Sequence, residues 1–577
     1  MSSPFGVIMS VPAHRVCMSQ PTKEIGDLSV SFRANNKMPV VLVVYKILSS
    51  GIKETTMTMT MKTMCFCTAF FLLFVPNMCL VSLAEGLESS QDHPNLLIIH
   101  TNEQTFKSIS CYDNSWGDLK TPHIDFLANN GARFERFYTN HPLCTPSRAA
   151  LLTGQYAQDS NAYYNDLLLK EGTQTLGHIM QKQGFVTGYS GKVHFAGGIL
   201  PGFSPPRNFG FEDNRYMFNS FPLKKVTISK SGLLKGSSEV GDQVSYSTDF
   251  FKDRTIEFIE KNKKKSWCYM VGFSDPREPM VCRSPYDTMY QAEDMTVPST
   301  FLLPKDATTN WKPRIRKSKE LSATEYLKKH KAQYYGVIKL IDDSIGEIIA
   351  SLRDQGVLEN TVIVFTTDQG EMMGEFSRYD KEIFHESSAK IPFIVYYPAE
   401  IQANTVVREV VSNIDFLPTI LDIMNIPFNV RDFDGRSAAA LLKGESDRYW
   451  KNRAYLSLRN EVAVVANRFK LLIRNKREPC LIDLVNDPDE LKNAIHQEEY
   501  REQVRVLAND LKHYLEYASD PNWTNQLQQV MDWRFEQYQT YRSQDSLKGR
   551  WPQRNWKREL ADQLDGLMTV KPQSLKE

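Results

Sequence analysis

Apolar residues along this chain gather in two textures: short unbroken runs, and longer stretches in which they recur every third or fourth position. Residues 96–99, Leu-Leu-Ile-Ile after Pro94-Asn95, form a run of the first kind, which predicts a strand buried in a parallel sheet. Polar residues follow it at once. Between 331 and 354, Tyr335, Ile338, Leu340, Ile341, Ile345, Ile348, Ile349 and Leu352 keep a helical spacing, and Gly356 marks the stop. Residues 361–366, Thr-Val-Ile-Val-Phe-Thr, read as a second buried strand, followed by the polar cluster Asp368-Gln369-Gly370-Glu371. Helix alternating with apolar strand predicts an α/β fold, where ligands gather beyond the carboxyl ends of the strands. Both polar clusters sit at that edge and can meet in one site.

Residues 391–397 predict a third strand and 416–424 a helix. Past about residue 440 the texture changes. Residues 454–458, 462–465 and 469–473 are short β-like runs between polar turns, which predicts a small antiparallel sheet. From Glu498 the chain is charged and helical, with aromatics clustered at 523–541, while the Lys/Ser/Gly-rich segment 222–240 reads as an exposed loop. The organisation expected is an upstream extension and apolar segment over 1–84, a main domain over 85–440, and an α+β subdomain with a helical tail over 441–577.

Composition narrows the function classes. The 577 residues carry 69 Lys+Arg against 68 Asp+Glu, so a net charge of +1 gives no basic footprint for nucleic acid. A chain 41% hydrophobic can build a large core. Nine cysteines in this length are too few for a disulfide scaffold.

One segment breaks the even composition. Residues 65–84, CFCTAFFLLFVPNMCLVSLA, carry no charge; Met61 and Lys62 precede them, and Ser82 and Ala84 have cleavage-site spacing. This reads as a secretory signal peptide with a true start at Met57, Met59, Met61 or Met64. The alternative is an uncleaved signal anchor, the one case in which the protein would hold to a membrane; Pro76 and Asn77 favour cleavage. The expected location is the secretory pathway, secreted or lysosomal. Removal of 1–84 takes away Cys17, Cys65, Cys67 and Cys79 and leaves Cys111, Cys144, Cys268, Cys282 and Cys480. An odd count in a secreted protein leaves one cysteine free, intermolecular or chemically special. Asn522-Trp523-Thr524 is a glycosylation acceptor, marking Asn522.

The candidate chemistry starts at residues 143–154, Leu-Cys-Thr-Pro-Ser-Arg-Ala-Ala-Leu-Leu-Thr-Gly. This is a turn into a helix, with Pro146 at the first helical position and Arg148 one turn in. Cys144 then points toward a helix N-terminus, which lowers a thiol pKa and favours an anionic ligand. A buried structural thiol is the commoner occupant of such a place, but the surrounding residues override that expectation.

Cys144-Thr145-Pro146-Ser147-Arg148 followed by Leu-Thr-Gly resembles the signature of the type I sulfatases, of the alkaline phosphatase superfamily, whose cysteine is oxidised to Cα-formylglycine. The resemblance extends over roughly residues 94–500: Thr121-Pro-His-Ile-Asp125 and Gly131-Ala-Arg-Phe upstream, then Asp415-Phe-Leu-Pro418-Thr419, Asp434-Gly-Arg436-Ser437, and Asn486-Asp-Pro-Asp-Glu490. It implies a large mixed, mainly parallel sheet flanked by helices, alkaline-phosphatase-like, with a smaller C-terminal antiparallel-sheet subdomain. If Cys144 becomes an aldehyde, the odd count is explained.

By the same resemblance, Asn102 and Glu103, with Asp368 and Gln369, fall on the family's four ligands to one calcium ion, a hard cation suited to oxygen donors. Asn102 stands where an aspartate is usual, which removes one negative charge and implies weaker metal binding. Lys192 and His194 fall on a Lys-x-His pair, the lysine for sulfate and the aldehyde hydrate, the histidine for the second hydroxyl. An extended segment there would put both side chains on one face. Lys381, in Tyr379-Asp380-Lys381, falls on a second sulfate-binding lysine, and Arg148 would steady the hydrate through its fork of donors. Arg277, in Ser274-Asp275-Pro276-Arg277, replaces a histidine; arginine can hold a sulfate oxygen but stays charged and is no general acid.

The resemblance thus implies a sulfuric ester hydrolase that cleaves sulfate monoesters, of a carbohydrate by family habit, and that meets a formylglycine-generating enzyme during maturation. Two other readings stand: a phosphonate or phosphate ester hydrolase of the same superfamily, and a non-catalytic sulfatase-like binder of sulfated glycans. The loops 155–170, 195–240 and 280–320, with Tyr163, Tyr164 and Trp311, are the expected specificity elements.

Overall fold

A computed structural model describes residues 93–517, except 114, 198–201, 220–221, 304–315, 317–318, 460 and 475–476, together with two short strands near the amino end. The apolar segment 65–84, the four cysteines before residue 85, Trp311 and Asn522 lie outside the described residues. The chain forms two compact units. In Met1–Gly86, the described residues are the antiparallel strands Val30–Phe32 and Val40–Leu42. The second unit, Leu87–Glu577, carries all the other described elements.

The main sheet has eight strands: β1 (Asn95–Asn102), β2 (Ala132–Phe134), β3 (Val186–Lys192), β4 (Asp213–Phe218), β5 (Trp267–Pro276), β6 (Thr361–Thr367), β7 (Phe393–Tyr396) and β8 (Thr405–Val407). Their spatial order is β8-β2-β7-β6-β1-β5-β3-β4. Only β7 runs against its neighbours; every other pairing is parallel. The fold is therefore the mixed, mainly parallel α/β sheet that the resemblance implied. β1, β5 and β6 are buried along their whole length, which is why their sequences are continuous apolar runs rather than alternations.

Register brings the chemistry together. Thr367 of β6 pairs with Thr101 of β1, and Pro276 of β5 pairs with Asn102. The polar residues after β1, β5 and β6 thus emerge at one edge. Lys192 reaches that edge because β3 approaches β5 closely through two glycines. A Cβ on Gly191, whose φ is +94°, would lie 2.0 Å from the Gly272 carbonyl oxygen. Only glycine fits that contact.

Helices cover both faces: α1 (Pro122–Asn129), α2 (Cys144–Thr153), α3 (Ser247–Asn262), α4 (Ala323–Asp354) and α5 (Phe416–Ile423). The periodic stretch 331–354 is the last part of α4. The helix begins earlier, where Ser322 and Glu325 form a capping box that relieves two orphan amides. Asp342 of α4 caps the next helix over: its Oδ1 accepts from the His123 and Ile124 amides of α1 at 3.0 and 2.9 Å. Burial pushes the Asp342 carboxyl from 3.8 up to about 7.

That shift has a measurable sign. The protonated Asp342 carboxyl supports the fold fully below its ordinary pKa, and the contribution is lost as pH rises to about 7. Asp342→Asn keeps a capping oxygen and removes the charge. In urea unfolding between pH 4 and 8, the wild type should lose stability relative to this variant by about 1.4 kcal/mol per pH unit within the window. A difference independent of pH would show that the carboxyl is ionised in the fold.

Strands β9 (Ala454–Leu458), β10 (Glu461–Val465), β11 (Phe469–Arg474) and β12 (Cys480–Asp483) make the expected C-terminal antiparallel sheet. Helix α6 (Arg501–Tyr517) lays Val504, Leu507, Ala508, Leu511 and Leu515 on it, against Val462, Val464, Leu471 and Ile473. Ala150 of α2 joins that cluster, while its neighbours Ala149, Leu151 and Leu152 join the core of the main sheet. The helix carrying Cys144 is consequently held between two sheets, and all ten of its residues are buried.

Two local expectations are corrected. The segment 222–240 contains a hairpin, Lys225–Ile228 with Leu234–Ser237, and Lys224 is fully buried because its ammonium pairs with Asp275. Helix α2 starts at Cys144 itself, so Cys144 rather than Pro146 takes the first helical position. Among the described residues no helix is long and apolar enough to cross a membrane.

Candidate functional site

The two clusters predicted at the strand ends do meet, around Cys144. Asp368, just past β6, accepts the Glu103 and Gln369 amides on Oδ1 at 2.9 and 3.0 Å and the Arg148 Nε on Oδ2 at 2.8 Å. Burial works against its charge, but Arg148, His100, Lys192 and Lys381 hold the carboxyl below the usual carboxylate range. Arg148 also donates to the carbonyls of Lys192 at 2.7 Å and Thr101 at 3.5 Å, which ties α2 to β3 and β1.

Glu103 follows β1 in a left-handed conformation, φ 69°, uncommon for a side chain larger than glycine and a form of strain found at functional sites. Tyr334 of α4 props this turn by donating to the Glu103 carbonyl at 3.3 Å. Glu103 Oε2 receives Lys381 Nζ at 2.6 Å and lies 3.3 Å from Arg277 Nε. Burial, with repulsion from Asp380, pushes the carboxyl well above its ordinary value against the pull of Lys381 and Arg277.

Cys144 is fully buried. Gln369 Nε2 donates to its sulfur at 3.3 Å, and the thiol lies 3.9 Å from Asn102 Oδ1, whose amide group donates to the Ser274 carbonyl at 3.1 Å. Burial would raise the thiol's pKa, yet Lys192 and Lys381, with the His194 ring, pull it well below the ordinary value. Lys192 Nζ is buried without a hydrogen-bond partner, and burial brings its pKa from 10.5 down to about 8. Lys192, Lys381, Arg148 and Arg277 thus concentrate positive charge on position 144, where an anion would be stabilised.

The oxygens also fit a hard cation. Glu103 Oε1 and Gln369 Oε1 are buried with no hydrogen-bond donor, and Asn102 Oδ1 faces only the thiol. These three, with the ionised Asp368, are the oxygen-only set that calcium accepts. Among the described residues, one other group of metal-capable side chains converges, His123, Asp342 and Asp343, but the Lys339 ammonium already lies between the two carboxylates.

The predicted geometry is amended in one place. His194 has φ 67°, so the chain leaves the extended conformation after Lys192 and the alternation expected for Lys-x-His does not apply. His194 reaches the thiol by this turn instead. Arg277 sits at the mouth, its side chain 32% exposed, directly beyond β5. Beneath it Asp275 gathers Lys224, Tyr246 and Thr248, a buried network that fixes the end of β5. Cys111, Cys144, Cys268, Cys282 and Cys480 form no disulfide.

Two polar residues of the site carry no sign in the sequence. His100, on β1, is fully buried with neither ring nitrogen bonded, and burial with Arg148 nearby lowers its pKa. Asp166 stands in the 155–170 loop, and its Oδ1 is 3.0 Å from His194 Nε2. A histidine in an apolar run and an aspartate in a loop give no local signal; their roles come from partners far along the chain.

Comparison with known proteins adds an independent line. Residues 94–426 match the family described as Sulfatase, and 374–517 match N-sulphoglucosamine sulphohydrolase, C-terminal. The chain is 24% identical over 537 residues to an N-acetylglucosamine-6-O-sulfatase of Bacteroides thetaiotaomicron, covering 77% of this chain and 91% of the relative. It is 27% identical over 426 residues to a choline-sulfatase of Rhizobium meliloti, covering 69% and 82%. A solved structure in complex with its substrate D-glucosamine-2-N,6-O-disulfate shares the fold, with a TM-score of 0.60 at 23% identity over 74% of this chain and 98% of that one. So does a phosphonate monoester hydrolase of Silicibacter pomeroyi, with a TM-score of 0.61 at 22% identity over 74% and 96%.

Proposed function

The chain belongs to the sulfatase family, and on that premise we propose that it hydrolyses carbohydrate sulfate monoesters through a formylglycine made from Cys144 and a calcium ion held by Asn102, Glu103, Asp368 and Gln369. The observation that carries this reading is the convergence on one buried cysteine of Arg148, Lys192, His194 and Lys381, two oxygens without a donor, on Glu103 and Gln369, and the Asn102 Oδ1 that faces the thiol. One relative, an N-acetylglucosamine-6-O-sulfatase, and one fold neighbour, solved with a sulfated glucosamine substrate, support the substrate class.

When bound, calcium would polarise a sulfate oxygen, and the hydrated aldehyde would supply the attacking hydroxyl. The chain's own residues do the rest. Lys192 and Lys381 aim their buried ammonium groups where the sulfate oxygens gain charge, and their burial makes that stabilisation strong. Arg148 fixes Asp368 and the start of α2. His194 faces position 144 and takes a proton from a hydroxyl there. Arg277 donates to a sulfate oxygen at the mouth; being permanently charged, it does not protonate the leaving alcohol. The secretory pathway is the proposed setting, with residues 65–84 as its signal and maturation by a formylglycine-generating enzyme.

The test is the mass of tryptic peptide 137–148 from protein made in a secretory host, followed by assay of p-nitrophenyl sulfate, glucosamine sulfates and phenyl phosphonate. We expect the aldehyde mass and sulfate ester turnover that falls when calcium is chelated. An unmodified thiol in active protein would overturn the formylglycine reading, and faster cleavage of phosphonate than of any sulfate would move the protein to the neighbouring hydrolase class.

A further inference from the structure

We propose that Asp166 is the positioning residue of His194: it fixes the ring as the Nε2–H tautomer, so that Nδ1 faces position 144 as the proton acceptor. The inference deepens the sulfatase reading and rests on it for its kinetic consequence.

The geometry leaves the ring one arrangement. His194 Nε2 lies 3.0 Å from Asp166 Oδ1, and the two side chains are 5% and 14% exposed. An ionised carboxylate only accepts, so Nε2 must carry the hydrogen. Nδ1 is buried and, apart from the thiol beside it, has no protein partner. Backbone conformation sets the pair: His194 and Asp166 both adopt left-handed φ, 67° and 65°. Such residues persist where surrounding bonds over-determine them. Here Thr145, next to Cys144, supplies those bonds. Its hydroxyl donates to the His194 carbonyl and accepts the Asp166 amide at 3.1 Å, and its amide donates to Asn165 Oδ1 at 3.0 Å. One threonine thus sets the nucleophile position, the base and the base's carboxylate in a single frame.

The chemistry follows. A hydroxyl at position 144 breaks its O–H bond, the proton forms a bond to Nδ1, and the electron pair stays on oxygen. The ring becomes cationic with both nitrogens protonated, and the Asp166 carboxylate beside Nε2–H stabilises that charge. An asparagine at 166 can present its NH₂ to Nε2 instead, which transfers the ring hydrogen to Nδ1 and leaves nothing there to accept a proton.

The decisive experiment uses the full chain with ring-¹⁵N histidine, the His194 signals being assigned by their loss in His194→Gln. At pH 8 the wild type should show protonated Nε2 and unprotonated Nδ1, and Asp166→Asn should reverse or mix the two. With p-nitrophenyl sulfate, kcat of Asp166→Asn should fall about 100-fold or more with KM changed less than about threefold. Asp166→Glu should recover a larger share than Asp166→Asn. An unchanged ring spectrum in Asp166→Asn, or kcat within about twofold of wild type, would overturn the proposal. A loss of rate without a tautomer change would do so too, since that marks a merely structural loop. If the wild type cleaves no sulfate ester, the sulfatase reading fails while the ring spectrum still decides the role of Asp166.

Discussion

Cys144→Ala is expected to lower sulfate ester turnover by about 10⁴-fold or more while leaving the fold intact. The thiol is fully buried at the first position of α2, and the side chains proposed for catalysis are arranged around what stands there: Gln369 on the sulfur, Lys192 and His194 beside it, Lys381 across the site. Removing one sulfur from a packed helix leaves a small void worth about 1 kcal/mol, too little to unfold a domain of this size. The surrounding cations would then still bind sulfate but would have no nucleophile to act on. The variant should therefore keep its circular dichroism spectrum and retain affinity for a sulfated sugar by calorimetry. Residual turnover within tenfold of wild type would mean that the reacting group is elsewhere.

The second large effect concerns stability. Arg148 and Asp368 are 1% and 0% exposed and meet at 2.8 Å. Removing either partner from such a pair leaves a buried charge uncompensated, which typically destabilises by about 3–5 kcal/mol. Asp368→Ala and Arg148→Ala should each lose roughly that much in urea unfolding, and both should abolish turnover. Arg148→Met combined with Asp368→Leu leaves no charge to strand, so the double variant should be clearly more stable than the sum of the single losses. The carboxyl's folded pKa is depressed, so its contribution is present above the ordinary aspartate value and lost as pH falls through the acid range. The wild type should accordingly lose its advantage over Asp368→Ala below about pH 4. Additive single effects would show that Arg148 and Asp368 are each sustained by other partners.

Much of this architecture is legible in the order of residues alone. Residues 96–99 and 361–366 announce buried parallel strands because a strand covered on both faces has no polar side to show. The polar residues after them announce a site because strand ends are where a sheet runs out of backbone partners. Direction is another matter. The run at 391–397 looks like its parallel neighbours, yet β7 is antiparallel, since direction is set by connection and not by composition. Lys224 reads as loop surface because its partner, Asp275, is 51 positions away. The turn at His194 is equally hidden: a left-handed histidine is imposed by Thr145 from a different element. What the sequence withholds, then, is what depends on long-range partners.

The burial of α2 on every side has a consequence for the life history of the protein. An enzyme large enough to work on the Cys144 thiol cannot insert itself between two packed sheets. An enzymatic conversion of that residue must therefore act while 143–154 is still an exposed, linear stretch of chain. Folding closes that window, and on the proposed formylglycine reading a molecule that folds first would keep its thiol and remain inert. On that reading the same twelve residues would serve twice, first as a peptide to be read in passing and later as the buried keystone of the finished molecule. The pace of synthesis and folding, more than the final structure, would then set what fraction of molecules is ever competent.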